Sequence, residues 1–195
     1  FDTLSRMDGR ILETIASAGC YQLRLGAESG SQKILDYLNK GITVDQILTG
    51  IERCHRYNIK PCVSFMIGYP HEDEADVAAT ASLINRIRKD FPLAEINGMF
   101  QFQPYPNTSI FDEVTKEYNI PQPMSLEGWA GHQIIEMRRT DFPWLDDEKY
   151  SRYQAMNSIV SYIFFFDKLR SMPEHQRAGI PFVRYSIVFW LVCAV

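Results

Sequence analysis

The run "IKPCVSFMIG", Ile59 to Gly68, narrows the fold more than any other stretch of this chain. Its centre, "VSFMI", is almost continuously apolar. Pro61 stands near its start, where a missing N–H does little harm. A half-solvated strand would alternate polar and apolar residues. A continuous apolar run fits a strand covered on both faces, as in parallel sheets with helical crossovers. The flanking segments agree. "CYQLRLG" alternates and predicts a strand before it, and "AEINGMFQFQ" predicts a third strand after it. Helical patterns fill the gaps, so the expected order is α-β-α-α-β-α-β, an α/β class with parallel strands.

Cap signals locate the helices. "MDGRILETIASAG" sets Ile11, Leu12 and Ile15 on one face, with Asp8 as N-cap and Gly19 as stop. "SQKILDYLNKG" predicts a short helix capped by Ser31 and closed by Gly41. "TVDQILTGIERCHRYN" carries a stripe of Val44, Ile47, Leu48 and Ile51 behind Thr43 as N-cap. "DEADVAATASLINRIRKDF" has acids in its first turn and Arg86, Arg88 and Lys89 in its last, matching the helix dipole. After "PYPNTSIFDEVTKEY" the character changes: Pro121, Pro123, Gly128 and Gly131 mark an irregular stretch. An aromatic-rich helix is expected from Asp146 to Arg170. The expected division is therefore residues 1–120 as the α/β part and 121–195 as a mostly helical extension. The last stretch, "IPFVRYSIVFWLVCAV", is strongly apolar but shorter than the roughly 18 residues a spanning helix needs, and Arg184 interrupts it. It reads as a packing element.

Charge and cysteine usage exclude some classes. The net charge of −4 argues against a nucleic-acid-binding surface as the chain's main business, since phosphate binding needs clustered Lys and Arg, and leaves a local basic patch open. The 4 cysteines, Cys20, Cys54, Cys62 and Cys193, include no C-x-x-C pair, so they read as reduced thiols of a cytoplasmic protein. None of them belongs to a metal-ligand pattern. His55, His132 and His175 likewise have no partner at metal-ligand spacing.

In parallel α/β folds, chemistry gathers in the loops after the C-terminal ends of strands. Three such loops are visible: "GAESGS", "GYPHEDE" and "QPYPNT". In the first, Gly26 and Gly30 leave room for close backbone approach to a ligand. Glu28 offers two acceptor oxygens to a diol or an ammonium group, and Ser29 and Ser31 can donate or accept. A purely local role is the alternative, with Glu28 paired to Arg24. In the third loop, Gln103 and Tyr105 end a strand and could face a ligand or merely line the fold.

The three loops taken in order resemble the radical S-adenosylmethionine enzymes. "GAESGS" is similar to the G-x-E-S-G-S that ends the family's fourth barrel strand, and "LNKGIT" follows it. "GYPHEDE" resembles the G-x-P-G-E-T after the fifth strand, with His71 in place of glycine and Asp73 in place of threonine. "PYPNT" is similar to P-Y-P-G-T after the sixth, with Asn107 for glycine, a mild change because Asn tolerates left-handed backbone. The likeness covers residues 1–118 and is nearest to the subgroup often fused to a cobalamin-binding domain.

The resemblance implies the C-terminal half of a partial (β/α)6 TIM-like barrel. It implies S-adenosylmethionine bound across the strand ends and a [4Fe–4S] cluster on a C-x-x-x-C-x-x-C loop. Reductive cleavage of the cofactor would give a 5′-deoxyadenosyl radical for substrate modification. That cluster motif is absent from the 195 residues, so the expectation is a piece of a larger enzyme, inactive alone, with its cluster ligands elsewhere in the polypeptide. Cobalamin would be a further cofactor of the subgroup. By the same resemblance Glu28, Ser29, Ile67 and Gly68 are the expected cofactor contacts: Glu28 to the ribose hydroxyls or the amino group, Ile67 and Gly68 beside the adenine. Glu72 is expected to shape its loop and His71 to be solvated or a proton donor. The expected partners are the N-terminal part of the same polypeptide and a small-molecule or peptide substrate of unknown identity, with no nucleic acid and no membrane. Two other readings stay open. One is a different TIM-like enzyme acting on a sugar or another polar small molecule. The other is a non-catalytic half-barrel that serves as a scaffold.

Overall fold

The computed structural model describes residues 1–120, 125, 127–128 and 142–171. Trp129, His132, His175, Cys193 and the apolar tail from Ile180 lie outside the described residues. The elements in chain order are α1 (Asp2–Arg6), α2 (Gly9–Ser17), β1 (Gln22–Glu28), α3 (Gln32–Tyr37), α4 (Val44–Arg56), β2 (Lys60–Ile67), α5 (Glu74–Asp90), β3 (Glu95–Gln101), α6 (Ser109–Tyr118) and α7 (Asp147–Ser171). The sheet is three-stranded, parallel, in the order β1-β2-β3. This is the mixed α/β arrangement expected, and it fits part of a TIM-like barrel.

The apolar run explains itself in the structure. Val63, Phe65 and Ile67 of β2 are fully buried against Ile47 and Ile51 of α4 and Ile84 and Ile87 of α5. On β3, Met99 joins the same core, which Phe142, Leu145 and Tyr153 extend. Helix α7 packs on β3. A second cluster sits at the C-terminal strand ends: Tyr69 and Phe102 pack ring against ring at 4.5 Å among Ile34, Ile110 and Val114.

Local caps form where the side chains called for them. Asp8 accepts from the Arg10 N–H at 2.9 Å. Thr43 and Gln46 make a reciprocal capping box, and so do Asp73 and Asp76. Three local expectations need correcting. Ser31 occupies the N-cap of α3 but makes no cap bond, because its hydroxyl donates instead to Asp76 Oδ1 at 2.6 Å. Helix α3 ends before Gly41: Asn39 takes the left-handed turn at φ 50°. Ile11 is half exposed while its neighbour Leu12 is fully buried, since successive helix residues point about 100° apart. Among the described residues, no helix is long and apolar enough to cross a membrane.

Candidate functional site

Backbone strain marks the strand-end loops. Among the described residues, the non-glycine residues at positive φ are Glu28, His71 and four asparagines, Asn39, Asn58, Asn107 and Asn119. Asparagine tolerates this region; Glu and His do so at a cost of about 1–3 kcal/mol, and such residues gather at functional sites. Glu28 at φ 65° closes β1 and His71 at φ 63° follows β2. His71 and Asn107 (φ 65°) both stand where the sequence comparison with the family put glycine, and the left-handed backbone explains why glycine suits both places.

Glu28 sits at a register shift between β1 and β2. Its carboxylate folds back over Gly26: a Cβ built there would lie 2.3 Å from Glu28 Oε1. Oε1 accepts from Lys40 Nζ at 2.9 Å. The expected partner, Arg24, is not the one used. Lys40 comes from the "LNKG" segment after α3, where the folded loop brings an ammonium group back over the strand end. The Glu28 side chain retains 18% exposure, so the carboxylate can meet a ligand while its charge is balanced on one side.

Ser29 points the other way. It is fully buried, its Oγ lies 3.1 Å from Thr80 Oγ1, and it accepts from the Ser31 N–H at 3.0 Å. Gly30 donates its N–H to Thr80 Oγ1 at 2.9 Å. A Cβ on Gly30 would lie 2.6 Å from Ala79 O and 2.7 Å from Thr80 Cα. The space these two glycines free is thus filled by the protein itself, by the Glu28 carboxylate at Gly26 and by the α5 backbone at Gly30. Lys33 completes the seam with bonds to Asp73 at 2.8 Å and Asp76 at 2.7 Å. Burial works to raise the Asp76 pKa, but the bonds from Lys33 and Ser31 outweigh it and hold the group below its usual range.

Ile67 is fully buried in the main core, and its carbonyl accepts from the Phe102 N–H at 2.7 Å. Gly68, at φ 86°, donates its N–H to Glu72 Oε2 at 2.6 Å and accepts from the Trp144 indole at 2.8 Å. Glu72 therefore shapes its loop, as expected, while Asp73 caps α5. Burial pushes the Glu72 carboxyl up to about 7, against the lowering effect of the Gly68 and Tyr69 N–H groups; Asp76 adds to the rise, and the nearby Tyr153 hydroxyl lowers it. Its Oε1 has no hydrogen-bond partner.

Further buried polar atoms at these strand ends also lack partners: Tyr69 Oη, Gln101 Nε2 and Gln103 Oε1. Burial, then the charges of Glu28 and Glu72, keep the Tyr69 hydroxyl protonated. Buried polar atoms are normally satisfied, so unpartnered ones at these strand ends suit a polar ligand that supplies the missing bonds. Tyr105 is exposed. The chemistry fits the polar parts of S-adenosylmethionine: acceptors for hydroxyls and an ammonium group, with donors near.

The cysteines do not fit an iron–sulfur cluster. Cys54 lies in α4 and Cys62 in β2, both buried, and Cys20 precedes β1 with its Sγ 3.5 Å from Gln22 O. Burial pushes the Cys54 thiol up to about 11, away from the thiolate a ligand must be. Among the described residues no three thiols converge.

His71 has company that its sequence context did not reveal. Its Nε2 lies 2.8 Å from Glu113 Oε1, and Glu117 is close by.

With this geometry in hand, the similarities to known proteins can be placed. The radical SAM superfamily matches over residues 2–84. An uncharacterized methyltransferase of Pyrococcus horikoshii is 27% identical over 141 residues, 67% of this chain and 30% of that protein. The tRNA-2-methylthio-N(6)-dimethylallyladenosine synthase of Pelagibacter ubique is 37% identical over 89 residues, 44% of this chain and 19% of that protein. The enzyme of the same name from Acidithiobacillus ferrooxidans is 32% identical over 108 residues, 53% of this chain and 23% of that protein. The chain thus spans less than a third of each of these relatives. These matches support the radical SAM family for this chain.

Proposed function

We propose that this chain supplies the C-terminal half of a partial (β/α)6 radical SAM core, within an enzyme that reductively cleaves S-adenosylmethionine to modify a substrate. The carrying observation is the Glu28 carboxylate, held at φ 65° over Gly26 at the end of β1 with one side balanced by Lys40. In this reading Glu28 accepts hydrogen bonds from the ribose hydroxyls or the amino group of the cofactor. Tyr69, whose hydroxyl feels the Glu28 charge, lends an unpartnered polar atom near it. The roles expected for the other three residues become indirect. Ser29 positions the loop through Thr80, Ile67 forms the floor from beneath, and Gly68 holds the Glu72 and Trp144 contacts that fix the second loop. When bound and reduced, the cofactor supplies radical chemistry on an unreactive C–H bond; protein residues bind it, orient it and exclude water. The [4Fe–4S] cluster belongs to thiolates outside the described residues, and a cobalamin-binding domain alongside is part of the same proposal. The substrate is a small molecule or a peptide. The tRNA named for two relatives is not carried over to this chain, which spans less than a third of either of them.

In the polypeptide that joins this chain to a cluster loop, Glu28→Ala is expected to weaken S-adenosylmethionine binding about ten- to hundredfold, the effect of losing hydrogen bonds to a charged group. Calorimetric titration reads it. An unchanged dissociation constant with a lowered melting temperature would make Glu28 a structural residue. The chain by itself is expected to take up no cluster and to yield no 5′-deoxyadenosine after anaerobic treatment with iron, sulfide and dithionite, because its cysteines are dispersed and two of them buried. A brown protein that cleaves the cofactor would overturn that.

A further inference from the structure

At the loop after β2 and the helix α6, three donors of metal-binding type converge. His71 comes from the loop after β2; Glu113 and Glu117 come from one face of α6, four residues apart. One ligand atom from each lies within 4.8 Å of the others. Around a tetrahedral Zn2+ ion with bonds of about 2.1 Å, ligand atoms stand about 3.4 Å apart. The one hydrogen-bonded pair, His71 Nε2 and Glu113 Oε1 at 2.8 Å, and the outer limit of 4.8 Å bracket that spacing.

The surroundings favour a cation. Two carboxylates one turn apart on a helix repel each other. Among the described residues no lysine or arginine forms an ion pair with either one, and His71 contacts Glu113. Two phenols face the pair instead. The Tyr37 hydroxyl donates to Glu113 Oε1 at 3.2 Å, and the Tyr118 hydroxyl bonds Glu117. The Tyr37 ring also meets the imidazole edge-on, with centroids 5.5 Å apart and planes at 86°, which fixes the orientation of the His71 ring. Donors behind the carboxylates and a ring that sets the imidazole are the support that metal ligands ordinarily have. His71 meanwhile holds a left-handed backbone at φ 63° where glycine would be relaxed, so the side chain is kept at a conformational cost.

We propose that His71, Glu113 and Glu117 form a binding site for one divalent transition-metal ion of the Zn2+ type, with three protein ligands and water in the remaining position. The ion ties the loop after β2 to α6. The set is nitrogen and oxygen only, so it is independent of any iron–sulfur chemistry and of the cofactor reading of Glu28.

The test uses the full chain, reduced and stripped with chelator, then titrated with Zn2+ by calorimetry and with Co2+ by absorbance. One equivalent should bind saturably, and the Co2+ adduct should show weak d–d bands without a sulfur charge-transfer band. His71→Gly relaxes the backbone, so the protein should fold, and yet it should bind about a hundredfold more weakly or not at all. Tyr37→Phe should lose about tenfold through the support it gives Glu113. His55→Ala, on the far helix α4, should bind as the parent does. Absence of saturable binding, a thiolate band, or full affinity in a folded His71→Gly, Glu117→Gln double variant would each overturn the proposal.

Discussion

Alanine at Gly30 is expected to destabilise the chain by about 3 kcal/mol or more, enough to leave much of it unfolded. The added Cβ would meet three backbone atoms of α5 at 2.6, 2.7 and 2.9 Å, and a helix backbone cannot rotate aside as a side chain can. Overpacking of this kind costs about 1–3 kcal/mol by itself. Backing α5 away would also open the seam it shares with the first loop. That would leave the Gly30 N–H, the Ser29 hydroxyl and the Ser31 hydroxyl without Thr80 and Asp76, at about 1–3 kcal/mol for each buried group left unpaired. Gly26 gives the contrast. Its added Cβ would meet only the Glu28 carboxylate, the far end of a flexible side chain, so Gly26→Ala should cost little stability and act on ligand binding instead. Denaturant midpoints of the two variants decide it. A Gly30→Ala protein within about 0.5 kcal/mol of the parent would show that α5 does not rest on this loop.

The contrast also shows where the sequence could be read and where it could not. The caps at Asp8 and Thr43 are bonds inside a single turn, fixed by residues two or three apart, and the chain displays them. The strand at β2 is equally plain, although only its Val63, Phe65 and Ile67 face is fully buried, with Ser64 and Met66 on the other face half-buried. The place of Glu28 at a strand end was legible from the alternation before it. Its partner was not, since choosing Lys40 over Arg24 depends on how the segment after α3 turns back. The two serines looked like ligand donors because nothing local claims them. They are claimed by Asp76 and Thr80 of α5, about 50 residues on, across a packing seam. His71 looked solvated for the same reason: Glu113 stands 42 residues away on a helix that only the barrel-like winding brings alongside. The left-handed backbone at His71 and Asn107 is the middle case. The positions were visible as places where a family glycine is missing, and the structure supplies the dihedral that glycine was there to serve.

The Glu72 carboxyl should make stability fall as pH rises through neutrality, and Glu72→Gln should abolish that fall. In the unfolded chain the group titrates near its ordinary 4.5; in the fold, burial raises it to about 7. Between those values the folded state holds a proton that the unfolded state has lost, so unfolding releases protons and stability decreases with increasing pH. The loss begins above about pH 4.5, is complete just above pH 7, and stays constant beyond. At 1.36 kcal/mol per unit the whole effect is on the order of 3 kcal/mol. The protonated form suits the site: Oε2 accepts the Gly68 N–H, Oε1 has no hydrogen-bond partner, and Asp76 disfavours a second negative charge beside it. Glutamine keeps the shape and the acceptor for Gly68 and carries no charge to bury. Urea denaturation at pH 5, 6, 7 and 8 should therefore show the two proteins nearly equal at the acid end and Glu72→Gln the more stable above neutrality. Because Glu72 links the strand-end loop to Tyr153 on α7, the same profile should appear in protection of the Gly68 amide from hydrogen exchange, strongest at low pH. Parallel profiles for parent and variant would mean that the carboxyl is solvated and ionised in the fold.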